Sequence, residues 1–338
     1  MLCRNSITAL FFLLHLSIAF STENKQPWKR HTIDKSSIGA DGIRMLDVNG
    51  DGLHDIATGW EEGGIVRAYI HPGKNKSKKL WPKVTVGKVD SPEDAVFADI
   101  DNDGAIDVIS SCEGSNRTMF IHWAPKIKDH YLSNSDWTTN SIPVTEKKQS
   151  WMYALPLQID GNHGIDLVVS SKGKDASVSW LQAPEKSRTI SEWKLHKLQD
   201  AGWIMSLIDI DMDNDGDVDI LISDRRGPQR GVYWLERPSQ NKVNIPKLWQ
   251  RHSIGGEDKE ILFISTGDLD KDEKTDVVAI DKNNIIWFKK NSDSWEEHII
   301  PLPKGVGTGK STAICDVNGD QKNDIVFSCE GAKGNLSG

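Results

Sequence analysis

The chain has 338 residues and a net charge of −8, which is long enough for a large folded domain and too acidic to favour nucleic acid as a partner. Only three cysteines follow the first 21 residues, and this odd count argues against a disulfide framework. No nucleophile elbow, P-loop, zinc signature or dinucleotide fingerprint appears in the sequence. The sequence therefore contains no motif that indicates one of the enzyme classes marked by these signatures.

The N-terminus differs in composition from the rest of the chain. Arg4 precedes the apolar run Ala9–Phe20, and Ala19 and Ser21 are small residues suited to a cleavage site. This run is too short to anchor the protein by spanning a membrane. We therefore predict a cleaved signal peptide at residues 1–21, a mature chain at residues 22–338, and a secreted or periplasmic location.

Six short carboxylate-rich loops follow, each between two apolar segments. In five of them, oxygen-bearing side chains occupy positions 1, 3, 5 and 9 of a nine-residue loop, where alternate residues can turn inward onto one hard cation. The five sets are Asp47, Asn49, Asp51 and Asp55; Asp99, Asp101, Asp103 and Asp107; Asp211, Asp213, Asp215 and Asp219; Asp268, Asp270, Asp272 and Asp276; and Asp316, Asn318, Asp320 and Asp324. Asp and Asn also form plain turns, but several acids at fixed alternation repel each other unless a cation neutralises them. We predict about five structural Ca²⁺ sites.

The third loop departs from this pattern. Its four positions are held by Gln158, Asp160, Asn162 and Asp166. His163 stands where other loops have Gly104 or Gly216, so the turn is crowded as well as poor in carboxylates. We expect this loop to bind calcium weakly or not at all.

The loops recur at a spacing typical of propeller blades. In the second unit, strands are predicted at residues 95–100, 107–111, 118–123 and 137–142, separated by turn residues. The fold class predicted is all-β, a β-propeller of four-stranded blades with six units visible and no linker between domains.

Tryptophans mark the same repeat independently of the acids. Trp81, Trp137, Trp193, Trp249 and Trp295 each open a predicted fourth strand, and several are followed three residues later by histidine. We assign the rings to packing between blades, and the histidines to packing between blades or to hydrogen bonding, not to metal binding. Trp28 opens a fourth strand that has no preceding partners, whereas the sixth unit stops after its second strand. The pattern predicts a seven-bladed propeller in a longer chain, with the C-terminus missing here.

The motif Asp-x-Asp/Asn-x-Asp-Gly-x-x-Asp between apolar strands resembles FG-GAP or VCBS repeats, the calcium-binding blades of the integrin α-chain head and of many secreted bacterial proteins. The resemblance covers about residues 28–338. It implies a seven-bladed propeller with calcium in the loops between first and second strands. It does not imply an activity, because adhesion proteins, lectins and polysaccharide-active enzymes share this repeat.

The face opposite the calcium loops collects residues that break the repeat. The candidate ligand-binding residues there are Trp60, Glu61, Glu113, Trp151, Trp203, Arg225 and Arg226. Exposed aromatic rings beside charged groups suit a sugar, which needs a flat ring for its apolar face and polar groups for its hydroxyls or acids. The alternative is that the tryptophans fill the central channel and the charges are solvated.

Three functions remain open. The first is a non-catalytic module that binds a glycan, and the second is a polysaccharide lyase or hydrolase using Glu113 or Glu330 with Arg225 or Lys172. The third is an integrin-like adhesion head that binds an extracellular or envelope protein. The predicted rim carries no histidine to serve as a base, which weakens catalysis, and no catalytic residue is assigned. We expect a monomer without a membrane span.

Overall fold

The computed structural model describes residues 29–331. The predicted signal peptide at residues 1–21 and Trp28 lie outside these described residues. The strand expected to begin at Trp28 is not formed by the described residues that follow, because residues 29–39 contain no strand. Within them, no helix is long and apolar enough to cross a membrane.

The described residues form an all-β structure of five four-stranded sheets and one two-stranded sheet, all antiparallel and each connected in simple sequential order. We number the sheets as blades 1 to 6 in chain order. Their strands are β1–β4 (Ala40–Leu46, Asp55–Trp60, Ile65–Tyr69, Lys83–Lys88), β5–β8 (Pro92–Ala98, Asp107–Cys112, Met119–Trp123, Thr138–Ser141), β9–β12 (Ser150–Pro156, Leu167–Lys172, Ser177–Gln182, Lys194–Asp200), β13–β16 (Ile204–Ile210, Asp219–Asp224, Gly231–Glu236, Gln250–Gly255), β17–β20 (Ile264–Gly267, Asp276–Ile280, Asn284–Lys290, Trp295–Pro301) and β21–β22 (Thr308–Cys315, Asp324–Glu330).

Helical structure among the described residues is limited to single 3₁₀ turns in the connections between strands. These turns are Lys74–Lys76, Lys128–His130, Asn134–Asp136, Pro143–Thr145, Ile190–Glu192, Gln240–Lys242 and Pro246–Leu248. The predicted four-stranded, propeller-like repeat is confirmed, and blade 6 has two strands where the repeat pattern stops. Seven blades and a closed ring stay predictions.

The core lies between neighbouring blades. Successive residues of a strand point to opposite faces, so Val108 packs with side chains of blade 1 whereas Ile109 packs with side chains of blade 3. Both residues are fully buried. The second strand of a complete blade is covered on both faces, which explains why it consists mainly of apolar and small residues.

The tryptophans that precede the outer strands are structural, as predicted. Trp137, Trp193 and Trp249 are buried. Each indole Nε1 donates a hydrogen bond to the backbone carbonyl six residues earlier, at distances of 3.0, 2.9 and 2.9 Å. A buried indole needs such an acceptor, so these rings fix the turn before the outer strand as well as filling space.

The repeated histidines pack within their own blades, so the predicted packing between blades is wrong for them. Their predicted hydrogen bonding is found, because His196 bonds to Gln182 and His252 to Glu236. His196, His252 and His298 lie against tryptophans of the third strand of their own blade, with ring centroids 4.8, 4.2 and 4.7 Å apart. The histidine and the tryptophan are direct cross-strand partners in the sheet register. These contacts are therefore within a blade and not between blades, because directly paired residues share one face of the sheet.

Candidate functional site

The carboxylate loops all join the first and second strands of a blade, so the sequential antiparallel topology places them on one face of the molecule. The loops that join second to third strands, and one blade to the next, lie on the other face. We call this second face the opposite rim.

The ninth loop residue is a buried hydrogen-bond acceptor. In blade 2, Asp107 is fully buried, and its Oδ1 accepts from the amide of Ala124 at 2.7 Å while its Oδ2 accepts from the amide of Ile100 at 3.3 Å. Asp55, Asp166, Asp219 and Asp276 accept the equivalent two amides. This residue therefore connects the loop to the end of the third strand, a role that the motif spacing does not predict.

Burial also perturbs the ionisation of this residue. It raises the pKa of Asp107 to about 8 and the pKa values of Asp166 and Asp219 to about 6. A buried carboxylate is costly to ionise without a positive neighbour, and a cation in the loop would favour the ionised form.

Three loops bring carboxylates together closely enough to hold a metal ion. Oxygens of the first, third and ninth residues lie within 4.8 Å of one another in three sets: Asp99, Asp101 and Asp107; Asp211, Asp213 and Asp219; and Asp268, Asp270 and Asp276. Asp101 Oδ1 and Asp211 Oδ1 are buried without a hydrogen-bond partner among the described residues. Buried oxygens without partners are costly, and these two fit the oxygen ligands that a hard cation takes.

Basic side chains also lie over two of the loops. Arg188 forms ion pairs with Asp101 and, at 3.3 Å, with Asp103. Lys289 pairs with Asp270 in blade 5. Both cations are partly exposed, so they can move away at small cost if a metal ion takes their place.

The third loop is closed by an amide in place of a carboxylate. Nε2 of Gln158 donates to the carbonyl oxygens of Asn162 and Gly164, at 3.0 and 2.7 Å. The loop nevertheless keeps its buried Asp166. An amide that donates into the loop supplies from the chain the positive end that a cation would supply, which supports the expectation of weak calcium binding.

On the opposite rim, four charged side chains from three blades meet. Lys172, at the end of β10, pairs with Glu93 at 2.9 Å and also with Glu113. Oxygens of Glu61, Glu93 and Glu113 lie within 4.8 Å of one another. We call these four residues the glutamate–lysine cluster. Three carboxylates share one ammonium, so repulsion between them is only partly relieved.

Trp203 extends this cluster towards blade 4. The ring centroid lies 5.0 Å from Lys172 Nζ, 4.7 Å from Arg225 Cζ and 4.8 Å from Arg226 Cζ. The ring is half-buried, and Arg226 is 50% exposed. The result is an aromatic ring surrounded by cations that solvent can reach.

The backbone around Trp203 is fixed by a buried carboxylate. Asp224 accepts hydrogen bonds from the amides of Gly202, Trp203 and Arg226, at 2.9, 2.8 and 3.2 Å. A Cβ at Gly202 would lie 1.8 Å from the carbonyl oxygen of Arg226, so only glycine allows this approach. Trp203 and Arg226 are therefore held in place before any ligand arrives.

The other two tryptophans expected on this rim are buried. Trp60 is 7% exposed and its Nε1 donates to the hydroxyl of Tyr69 at 2.9 Å. Trp151 is fully buried, and its Nε1 donates to the carbonyl of Thr145 at 3.1 Å. Neither ring is available to stack on a ligand, and Trp151 fills space between blades 2 and 3. Of the other expected residues, Arg226 is exposed, whereas Glu61, Glu113, Trp203 and Arg225 are partly buried.

The candidate ligand-binding residues did not include Glu93 or Lys172, although Lys172 is named among the catalytic candidates. These two residues join Glu61 and Glu113 into one cluster. Burial, with the adjacent Glu113, raises the pKa of Glu93 from 4.5 to about 8. The sequence gives one signal, because Glu93 precedes Asp94 at the start of an apolar inner strand where a charge is unusual.

The raised pKa of Glu93 predicts how the free energy of unfolding depends on pH. A group whose pKa is higher in the folded than in the unfolded state contributes stability fully below the unfolded value, here 4.5, and loses it as the pH rises through about 8. We expect Glu93→Gln to become increasingly more stable than the wild type across that window. Urea unfolding from pH 4.5 to about 8 measures this difference, with the exposed Glu192→Gln as control. A difference that stays constant with pH contradicts the assignment.

Comparisons with known proteins agree with this architecture. The sequence profile of the FG-GAP-like repeat matches residues 33–110 and 268–327. No curated protein matches the chain.

Among solved structures, an Agrocybe aegerita lectin that recognises non-reducing terminal N-acetylglucosamine superposes with a TM-score of 0.50 and 16% identity, over 88% of this chain and 78% of the lectin chain. The Tc holotoxin pore of Photorhabdus luminescens gives a TM-score of 0.40 and 16% identity, over 88% of this chain but 14% of that chain. At this identity, the likeness to the lectin concerns the fold alone.

Proposed function

Because the chain belongs to the FG-GAP-like repeat family, we propose that it is a secreted, calcium-stabilised propeller that binds a glycan on the opposite rim. The observation that carries this proposal is the half-buried ring of Trp203, which three cations surround beside the glutamate–lysine cluster. Sugars bind where an aromatic ring meets several hydrogen-bonding groups with fixed positions. The calcium loops lie on the other face and serve to hold the blades.

Calcium is assigned to the five loops with oxygen ligands at positions 1, 3, 5 and 9. The proposal is supported by the clustered carboxylates and by the buried, unpartnered oxygens of Asp101 and Asp211. When bound, the ion supplies positive charge that links both ends of the loop. Since the first and ninth residues also accept backbone amides, the loop is shaped before the ion binds.

Glycan binding is tested by substituting Trp203. We expect Trp203→Ala to weaken retention on immobilised polysaccharides at least tenfold, because the ring and the cations stacked on it act together. Affinity electrophoresis in gels that contain neutral or acidic polysaccharides measures the effect.

The matched control is Trp81→Ala, which removes a tryptophan from the outer part of blade 1. Both variants should keep the calcium-dependent shift in melting temperature, which shows that the fold is intact. Equal retention of the wild type and Trp203→Ala would overturn the proposed site, and failure of the wild type to bind any polysaccharide would overturn the function.

A second candidate function is cleavage of a polysaccharide. The observation that favours it is the raised pKa of Glu93 within 4.8 Å of Glu113 oxygens, since paired carboxylates with separated pKa values can serve as acid and base. Cleavage would release new reducing ends, and a lyase would also create unsaturated ends that absorb ultraviolet light. Incubation of acidic polysaccharides with the wild type and with Glu113→Gln distinguishes this activity from binding alone.

A further inference from the structure

A cavity lies among the inner strands, and none of the residues of the glutamate–lysine cluster lines it. Its volume is about 470 Å³, and its walls come from β1, β9, β13, β17 and β21. This volume falls within the range of small-molecule sites. None of the residues of the sequence-predicted ligand site lines it.

One wall presents a guanidinium whose position is fixed from behind. Arg44 donates through Nε and Nη2 to the buried Asp94, at 3.1 and 3.4 Å. These bonds leave Nη1 for a ligand, and the side chain is 33% exposed. The bulge at Gly42 permits this approach, because a Cβ there would lie 2.5 Å from the carbonyl oxygen of Glu93.

A second cation faces the same cavity from blade 6. Lys310 is 39% exposed, and its Nζ lies 5.9 Å from the centroid of Phe263. Its ion pair with Glu330 is long, at 3.3 Å, and exposed, so it holds the ammonium only weakly. Lys310 can therefore turn to an anion in the cavity.

The remaining walls provide acceptors and apolar surface. Asp41 lines the cavity, and the only hydrogen bond that its carboxylate accepts among the described residues comes from the amide of Gly42 at 2.9 Å. Ser311 offers a hydroxyl. Met205 and Phe263 contribute apolar surface, with Phe263 half-buried. Cations, one free carboxylate and an apolar wall together match a sugar that carries both hydroxyls and an acid group.

We propose that this cavity binds a uronate, with the sugar carboxylate on Arg44 and Lys310, a hydroxyl on Asp41, and the apolar ring face against Phe263. A planar carboxylate matches the geometry of the guanidinium and forms stronger, charge-assisted hydrogen bonds than a hydroxyl does. The inference rests on the proposed glycan-binding function and narrows it to acidic polysaccharides.

Isothermal titration calorimetry of the whole chain with D-glucuronate tests the site, with D-glucose and acetate as the other probes. We expect glucuronate to bind at least tenfold more tightly than either. Equal affinity for glucose overturns the role of the carboxylate contacts, and equal affinity for acetate overturns the sugar subsite.

Two variants locate the binding. Lys310→Gln should weaken glucuronate binding at least tenfold. Arg44→Ala alone would leave Asp94 buried without a partner and could unfold the chain, so Arg44→Gln is combined with Asp94→Asn. The control is Lys242→Gln at an exposed lysine. Wild-type affinity in both test variants overturns the inference.

The same variants separate this inference from the proposed function. Trp203→Ala should lose retention on polysaccharide while it still binds free glucuronate. The Lys310→Gln variant could lose its affinity for free glucuronate and still be retained on polygalacturonate as strongly as the wild type. The cavity would then not be a subsite for the polymer, and the inference would fail while the proposed function stands. If the wild type binds glucuronate but no polysaccharide, the proposed function fails while the cavity site stands.

Discussion

Chelation of calcium should lower the melting temperature of the chain by roughly 5 to 20 °C. A site with a dissociation constant of about 10⁻⁴ to 10⁻³ M contributes about 0.4 to 1.4 kcal/mol in ~1 mM calcium, so the five intact loops together contribute about 2 to 7 kcal/mol. A domain of this size shifts by a few degrees for each kcal/mol. Calorimetric melts with EDTA, and then with calcium or magnesium restored, measure the effect.

Two matched variants assign this shift to the loops. Asp213→Asn in the fourth loop should reduce the calcium-dependent shift, because Asp213 belongs to a carboxylate cluster. Asp160→Asn in the third loop should leave it unchanged, because Gln158 already closes that loop with its amide. No shift on chelation, or a shift that magnesium restores equally well, would contradict the calcium assignment.

Asp166→Ala is expected to lower the free energy of unfolding by about 2 to 4 kcal/mol, and to do so whether or not calcium is present. Asp166 is fully buried and accepts the amides of Ile159 and Ala183, at 3.1 and 2.8 Å. Loss of this carboxylate leaves two buried donors without partners, each costing about 1 to 3 kcal/mol, some of which relaxation recovers. Urea unfolding with EDTA and with calcium measures both values.

The control for Asp166→Ala is the same substitution in an intact loop. Asp219→Ala removes the equivalent residue from an intact loop, so its loss should be larger with calcium than with EDTA. Asp129→Ala, at an exposed position, should change stability by less than about 0.5 kcal/mol. A loss at Asp166 below about 1 kcal/mol would show that the ninth residue is not a structural tie.

The repeat and its strands could be predicted because they depend on local chemistry. Alternating acids mark each loop, and the apolar runs on either side are the two strands that the loop joins. The predicted strand at residues 107–111 is observed at Asp107–Cys112, and the predicted strand at 118–123 at Met119–Trp123. The strand predicted at 137–142 is observed at Thr138–Ser141, whereas the strand predicted at 95–100 begins three residues earlier, at Pro92–Ala98. The boundaries of the other strands differ by at most one residue because the flanking turns contain few residues that could extend a sheet.

The double role of the ninth aspartate could not be predicted from spacing. Its two amide donors lie about seven residues before it and about 17 after it, and only the packing of the third strand brings the second donor close. A motif shows which oxygens alternate, but not which of them already accept protein hydrogen bonds. The third loop reveals the structural role of the ninth aspartate, because it keeps Asp166 although it lacks other carboxylates of the motif.

Exposure of the rim tryptophans was also undecided in the sequence. Trp60, Trp151 and Trp203 all lie next to turns, and a turn position does not show whether a ring points between blades or outward. Trp60 and Trp151 proved to be buried, whereas Trp203 lies beside Lys172, 31 residues earlier in the chain and held there by an isolated bridge between β10 and the start of blade 4.

The sequence alone determined the repeat, the all-β class and the loops able to hold metal, because each is written in side chains a few residues apart. The tertiary structure decided what lies opposite those loops. Ion pairs join Lys172 to Glu93 and Glu113, and Arg44 to Asp94, although the partners are 50 or more residues apart in the chain. Only the packing of one blade against the next brings these partners together. Charge partners of this kind depend on which faces of neighbouring sheets meet, and no local pattern encodes that choice.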